Sequence, residues 1–395
     1  MDFTSQDSAE MAAFRKEVRA FLEEIVPKDM VYSPDWRDYS KAEHVRRDEI
    51  IRKLGSKGWL CPTWPKEYGG GGLTAEHAIV IEEETDEFNI SLGERGGIAG
   101  PSIIVWGTDE QKKRMLPPML TGQVRTWRLL TEPHGGTDLA SAKTQAIRDG
   151  DEYVINGSKT FVGGDDVPDQ FWMIVMTDPQ GPRHQNLGWI LVPADRPGIT
   201  IQPLNILSTA GVGSHNNSVF FEDVRVAADN LVGGENNGWK VANTAMEIEH
   251  GGDGDVGRDR ELEHFLSFCK TADLDPDAKD LLADIYINGD IKRLFGLRNF
   301  WKRQAKLDLG YDGSQFRYIK RMGDLRNARL MQQVMGYMAI ISDKQWAPED
   351  RWMELFMRNS VTRIHPGGSQ NIDKVIISRR MGVGRSIKEA AGKLE

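Results

Sequence analysis

Phe171-Trp172-Met173-Ile174-Val175-Met176 and Trp189-Ile190-Leu191-Val192 decide the architecture, because each is an unbroken apolar run of strand length. No stretch approaches the roughly 20 apolar residues that cross a bilayer, so the sequence predicts no membrane span. Outward from these runs the same rhythm of aromatic and β-branched residues starts at Val124 and recurs at Thr144–Ile147, Tyr153–Ile155, Ile199–Gln202 and Ser218–Phe221. Asn156-Gly157, directly after Tyr153–Ile155, predicts a tight turn, since both residues tolerate positive φ.

On either side the period becomes helical. Met11, Phe14, Val18, Phe21, Leu22 and Ile25 form one stripe of an amphipathic helix that stops before Pro27. Further helices are predicted over Glu43–Leu54, closed by Gly55, over Ala75–Thr85, and over Thr108–Leu116, begun by Thr108. After Gly233-Gly234 the helical spacing returns with Phe265 and Phe268, then Leu281–Leu294, then Ile319, Met322, Leu325, Leu330, Val334 and Met335 along one side. The pattern is helical, then β, then helical, and a length of 395 residues gives room for it at about 150 residues per domain.

Apolar residues make up 39% and charged residues 28%, enough to bury a core and too apolar for a disordered chain. A net charge of -9 has the wrong sign for a protein that neutralises phosphates along a duplex, so no nucleic-acid partner is expected. Asp2, Asp7, Glu10 and Glu17 stand where a secretory signal is basic and then apolar, which makes the cytoplasm the expected location. Cys61 and Cys269 are too few for a disulfide framework and read as packing thiols.

None of the histidines forms the i, i+4 pair or Cys/His cluster of a zinc site, so no metal is expected. The hydrolase elbow and the phosphate-binding loop of nucleotide triphosphatases are both missing. What remains is a set of glycine-bearing segments, since glycine lets a backbone approach a ligand and expose its amides. They are Thr131-Glu132-Pro133-His134-Gly135-Gly136-Thr137-Asp138, Glu249-His250-Gly251-Gly252 and His365-Pro366-Gly367-Gly368-Ser369-Gln370. At this point ordinary loops, or a helix start in the case of Glu249, are the plainer reading, because short glycine motifs recur by chance.

In this order and context, these segments resemble the acyl-CoA dehydrogenase family, flavoenzymes that oxidise the α,β bond of acyl-CoA thioesters. Gly58-Trp59 with Trp64-Pro65-Lys66-Glu67-Tyr68-Gly69-Gly70, Gly107-Thr108-Asp109-Glu110-Gln111 followed by Leu116-Pro117-Pro118, the Thr131–Ala140 block and Asn156-Gly157-Ser158-Lys159 all match family patterns. The resemblance implies an α+β multidomain fold: an N-terminal helical domain over residues 1–123, a middle β-barrel or sandwich domain over 124–236 and a C-terminal four-helix bundle over 237–395. It also implies FAD as cofactor, an acyl-CoA substrate and an electron-transfer flavoprotein as acceptor.

Carried over by position, Leu130, Thr131, Gly136 and Thr137 lie at the isoalloxazine; Phe161 stands in place of the usual tryptophan and Gly163 in place of a common hydroxyl residue. Gln333 and Gly336 fall in a segment that contacts FAD across a subunit interface, with Tyr337 replacing a second glycine, and Ser369 and Asn371 sit at nucleotide contacts. The commoner location of the base aligns with Gly367, which has no side chain to do the work but can still polarise the thioester carbonyl through its amide. The second known location, at the start of the first C-terminal helix, is occupied by Glu249, the expected base. Glu247 is its competitor, and a glutamate paired at a helix N-terminus is the structural alternative.

His250 replaces an arginine beside the base and, with Gly368, is expected at the substrate. Gly251, Gly252 and Gly254 leave room for a bulky or ring-bearing acyl group. The stretch Cys269–Asp280 has no arginine where many relatives bind the FAD pyrophosphate of a neighbouring subunit. The chain is therefore expected to be either a homo-oligomer or one half of a heteromer with a second subunit of the same family. A flavin oxidase and a non-catalytic subunit that completes a partner's site are the alternatives.

Overall fold

The computed structural model describes residues 7–30, 33, 35, 38–90, 92, 99–164, 167–207, 215–251 and 259–383, apart from the side chains of 164, 215, 245–251 and 304. The chain forms two compact units, one of Thr4–Ile206 with Gly211–Ile248, the other of Glu249–Glu395 with Met1–Phe3 and Leu207–Ala210.

The first unit opens with helices. Helix α1 (Ala9–Ile25) starts at Ser8, whose hydroxyl accepts from the Met11 amide; of the predicted stripe it buries Met11, Val18, Leu22 and Ile25 and leaves Phe14 and Phe21 half-buried. Helix α2 (Lys41–Ser56) has a full capping box between Ser40 and Glu43, and α3 (Ala75–Glu87) packs on α1. A short α4 (Gly100–Trp106), which the sequence does not announce, precedes α5 (Asp109–Leu120). Thr108 and Gln111 box the start of α5, and the helix runs past Leu116 through Pro117-Pro118. The side-chain amide of Gln111 then donates to the carbonyls of Asp229 and Leu231, both at 2.8 Å, fastening this helix to the strands.

Among the described residues, eight strands hydrogen-bond into one sheet. They are β1 (Thr126–Leu129), β2 (Gln145–Asp149), β3 (Glu152–Gly164), β4 (Gln170–Met176), β5 (Leu187–Pro193), β6 (Ile199–Leu204), β7 (His215–Ala227) and β8 (Leu231–Val232). Their order is β6-β7-β3-β2-β4-β5-β8, with β1 added parallel to β4. On β4, Phe171, Met173 and Val175 join one core with Tyr153, Ile155 and Val192, while Trp172 and Ile174 join another with Ile103, Leu116 and Met119 of α4 and α5. Both faces of β4 are covered, which is why its sequence is unbroken rather than alternating. Trp172 stacks on Trp189 of β5 with ring centroids 5.1 Å apart. Helix α6 (Gly238–Gly251) follows the sheet, and its Gly238 carbonyl accepts from the Trp189 indole at 2.9 Å.

The predicted turn at Asn156-Gly157 is not there. Strand β3 runs straight through it, with a register shift against β7 between Ile155 and Gly157. Gly157, at φ 143, is a glycine because a Cβ would lie 2.7 Å from the Cα of Thr144. The Asn156 amide group donates to Asp223 at 2.9 Å and its oxygen accepts from the Asp223 backbone at 2.9 Å. The residues that tolerate positive φ serve a bulge and a close strand contact here, not a reversal of the chain.

The second unit is helical: α7 (Arg260–Thr271), α8 (Pro276–Gln304), α9 (Asp312–Met335), α10 (Trp352–Thr362) and α11 (Gln370–Arg380). Helices α8 and α9 run antiparallel, as shown by the ion pairs Lys302–Asp312, Lys292–Asp324 at 3.0 Å and Arg326–Asp284 at 3.1 Å. Phe265, Ile285, Ala328, Met331, Met335, Met353 and Phe356 form the core. Both cysteines are free thiols; burial pushes Cys61 up to about 12 and Cys269 up to about 11. Among the described residues no helix is long and apolar enough to cross a membrane.

Candidate active site

Strand β1 delivers Leu130 and Thr131 into a tight turn. Glu132 and Gly135 each donate an amide to the other's carbonyl at 3.0 Å, and the Thr160 amide of β3 donates to the Thr131 carbonyl at 2.9 Å. The Glu132 carboxylate is buried and accepts from the Lys159 ammonium at 2.7 Å, the Lys143 amide at 2.7 Å and the Thr144 amide at 3.0 Å. Lys159, fully buried, also donates to the Leu130 carbonyl at 3.3 Å. Burial alone pushes the Glu132 carboxyl up, but the charge and hydrogen bond of Lys159 and the two amides overrule it and hold it below the usual carboxylate range. Thr131 is thereby fixed through Leu130, Glu132 and its own carbonyl.

The surface this creates is rich in donors. A Cβ at position 136 would lie 3.0 Å from the Thr131 methyl, so Gly136 is set by close approach to Thr131. Among the described residues, neither the Thr131 hydroxyl nor the amides of Gly136 and Thr137 have a protein partner. Next to the Thr131–Thr160 contact, β3 shifts register against β7 between Lys159 and Val162. Phe161 there adopts φ 53 and is 61% exposed, while Val162 is buried. Positive φ is rare for a bulky residue, and the bulge turns this aromatic ring outward. Gly163 follows on the same strand, exposed and opposite Asn216. Leu130, Thr131, Gly136, Thr137, Phe161 and Gly163 thus gather around one strand junction. Its free hydroxyl, free amides and outward aromatic ring form a donor set that fits the edge and face of a flavin ring. Lys159 and Glu132, to which the sequence reading gave no role, are its foundation; the signal available was their place in Asn156-Gly157-Ser158-Lys159 and in the Thr131–Ala140 block.

In the second unit, the turn from His365 to Ser369 leads into α11. Gly367 and Gly368 have φ 66 and 87. Arg317 and Arg321, one turn apart on α9, take the carbonyls of this turn. Arg317 donates to Gly367 at 3.3 Å, and Arg321 donates to Gly368 at 2.5 Å and to Pro366. Both also bind the fully buried Asp373 of α11, at 2.5 and 2.9 Å. Ser369 caps α11 without a side-chain hydrogen bond, and Asn371 is exposed on its first turn. Gln333 and Gly336 lie at the other end of α9. Gln333 is exposed, and Gly336, at φ 59, returns its amide to the Gln332 carbonyl and ends the helix before the exposed Tyr337.

Glu249 and His250 belong to the last turn of α6, not to a helix start as expected. Position 249 lies eleven residues past the start of this helix, which removes the reading of Glu249 as a glutamate at a helix N-terminus. The side chains of Glu247, Glu249 and His250, and all of Gly252 and Gly254, lie outside the described residues. The arginine-free stretch Cys269–Asp280 holds the end of α7 and the start of α8, which Asp275 caps by accepting from the Ala278 amide at 2.7 Å.

The family model described as Acyl-CoA dehydrogenase, N-terminal domain, matches residues 8–123, and that for the middle domain matches residues 128–224. Acyl-CoA dehydrogenase IpdE1 of Mycobacterium tuberculosis is 30% identical over 85% of this chain and 88% of its own length. Acyl-CoA dehydrogenase FadE29 of the same organism is 28% identical over 93% of this chain and 95% of its own. Among solved structures, the Tcur3481-Tcur3483 steroid ACAD superposes with a TM-score of 0.82 at 27% identity, covering 98% of this chain and all of its own.

Proposed function

The chain belongs to the acyl-CoA dehydrogenase family, and on that premise we propose that it removes the α-proton of an acyl-CoA thioester with Glu249 while the β-hydrogen leaves as hydride. The observation that carries this reading is the junction of β1 and β3, where, among the described residues, the Thr131 hydroxyl and the amides of Gly136 and Thr137 have no protein partner beside the outward-turned Phe161. These residues would hold the ring of FAD, which supplies a two-electron acceptor when bound.

The remaining steps belong to this chain's own groups. The α-proton of a thioester is weakly acidic, so its carbonyl must be polarised as the base acts. Gly367 does this with its amide, which explains how a residue without a side chain keeps a role at the position where the base more often stands. Glu249 acts as the base from α6, and the absence of side chains at Gly251, Gly252 and Gly254 favours a bulky acyl group. The steroid ACAD among the structural neighbours favours a ring-bearing substrate. An electron-transfer flavoprotein would then reoxidise the enzyme; hydrogen peroxide formed stoichiometrically during turnover would instead identify an oxidase.

Glu249→Gln tests the assignment. The variant is expected to bind FAD and acyl-CoA almost as the wild type does and to lose substrate bleaching of the flavin by at least about 1,000-fold. An unchanged bleaching rate removes Glu249 from the reaction.

A second reading rests on the arginine-free stretch Cys269–Asp280 and on the paired name of the Tcur3481-Tcur3483 neighbour: the chain is the base-bearing half of a heteromer. Expressed alone it is then colourless and takes up flavin only with its partner subunit. A yellow homo-oligomer with one FAD per chain rejects that reading.

A further inference from the structure

We propose that Arg317 and Arg321 are positioning residues for proton abstraction, holding the 366–369 turn so that its amides, and not its carbonyls, face the thioester oxygen. This rests on the reading of Gly367 as the group that polarises the thioester. In a planar trans peptide the carbonyl and the following amide point in opposite directions. Arg321 takes the Pro366 carbonyl, Arg317 the Gly367 carbonyl and Arg321 again the Gly368 carbonyl. The amides of Gly367, Gly368 and Ser369 must therefore all turn away from α9. Among the described residues none of them donates to a protein acceptor. Successive amides presented on one side form a concave donor array that favours developing negative charge.

Two glycines at positive φ would not hold this arrangement unaided, because glycine loses more conformational freedom on ordering than any other residue. Asp373 supplies the rigidity. It is fully buried, receives both guanidinium groups and so fixes the forks that reach the turn. A guanidinium suits the task because its planar donors can serve several acceptors at once, whereas a lysine ammonium is a point charge on a flexible stem.

The test uses the flavin-loaded enzyme, in whichever assembly carries the flavin, and a steroidal acyl-CoA labelled with carbon-13 at the thioester carbonyl. Two quantities are read: the rate of flavin bleaching at saturating substrate without oxygen, and the infrared band of the bound carbonyl. Arg321→Gln is expected to slow bleaching by about 10–100-fold, the range for misplacing rather than deleting an oxyanion donor, with substrate affinity within about threefold of wild type. Its carbonyl band should move back toward that of the free thioester. Arg321→Lys should not rescue either quantity, since one ammonium cannot reach Pro366, Gly368 and Asp373 together.

Arg317→Lys disturbs only the Gly367 carbonyl and keeps a positive charge beside Asp373. It is the milder variant, expected to show a smaller loss in the same direction even if Arg321→Gln fails to fold. A wild-type carbonyl shift that survives in both arginine variants, a complete rescue by lysine at 321, or a loss confined to substrate affinity overturns the proposal while leaving the base assignment standing. A wild-type enzyme whose bound carbonyl band matches the free thioester overturns the reading of Gly367 and this proposal with it.

Discussion

The glycine turn after β1 and the glycine turn before α11 are both pinned by buried charge, with the roles of the charges exchanged. In the first, a carboxylate, Glu132, collects two backbone amides and a lysine, and the lysine takes one carbonyl. In the second, two arginines collect three carbonyls and a carboxylate, Asp373, which contacts only the arginines among the bonds described. The difference sets what each turn offers. At Glu132 the charge secures the strand junction, and the donors left over are those of Thr131, Gly136 and Thr137. At Asp373 the carbonyls themselves are removed from view, and an amide array is what remains. A glycine motif thus acquires its chemistry from the distant side chains that occupy one side of its peptide planes.

The comparison breaks most visibly at Lys159. Lys159→Met leaves Glu132 charged and buried without its partner, and removing one member of such a pair costs about 3–5 kcal/mol. The measurement is denaturant unfolding, with loss of flavin uptake as a second readout. Asp373→Asn should cost less, about 1–3 kcal/mol, because Arg317 and Arg321 are each 13% exposed and keep their carbonyl acceptors. Equal costs, or the reverse order, would show that the two turns are not held in the way their contacts suggest.

Acid sharpens the same contrast. The folded-state pKa of Glu132 is held below its ordinary value near 4.5, so the stability it contributes is complete above that pH and is lost as pH falls through the depressed value. The deficit of Glu132→Gln relative to wild type should therefore be level from about pH 7 to 5 and narrow below about 4.5 in thermal unfolding. A deficit that widened in acid would contradict the direction assigned to this carboxyl.

Much of the architecture was legible because helices and buried strands leave local periodicity. The stripe from Met11 to Ile25 became the buried face of α1, and the unbroken run Phe171–Met176 became a strand covered on both faces. Elements too short to show a period were not: α4 and β8 went unannounced. Asn156-Gly157 misled because the same tolerance of positive φ serves a hairpin turn and a bulge, and only the approach of Thr144, just before β2, distinguishes them. Pro117-Pro118 did not end α5, since proline lacks an amide but keeps a carbonyl, and the Pro117 carbonyl accepts from the Thr121 amide at 3.1 Å and hydroxyl at 2.7 Å. At the site, the glycine segments were visible and their supports were not. Lys159 lies 27 residues from Glu132, and Arg321 lies 52 from Asp373, spacings that no helix or strand period reports.

Phe161 offers the smallest effect and the most direct test of whether the first turn is shaped for a ligand. Its φ of 53 is unfavourable for any residue with a Cβ, and its ring is 61% exposed, so the folded protein by itself gains little from keeping it there. Glycine at this position relieves the backbone strain but frees the unfolded chain, and the two changes oppose each other. Phe161→Gly is therefore expected to shift the unfolding free energy of the flavin-free protein by no more than about 1 kcal/mol, with a rise if strain relief dominates. Flavin retention, read by dialysis and absorbance, should fall by about 3–10-fold, the worth of one aromatic contact of about 0.5–1.5 kcal/mol. Retention equal to wild type would mean that the bulge turns Phe161 outward for some reason other than the flavin. It would also separate the two turns more sharply, leaving Thr131, Gly136 and Thr137 as the groups of the first that carry cofactor binding.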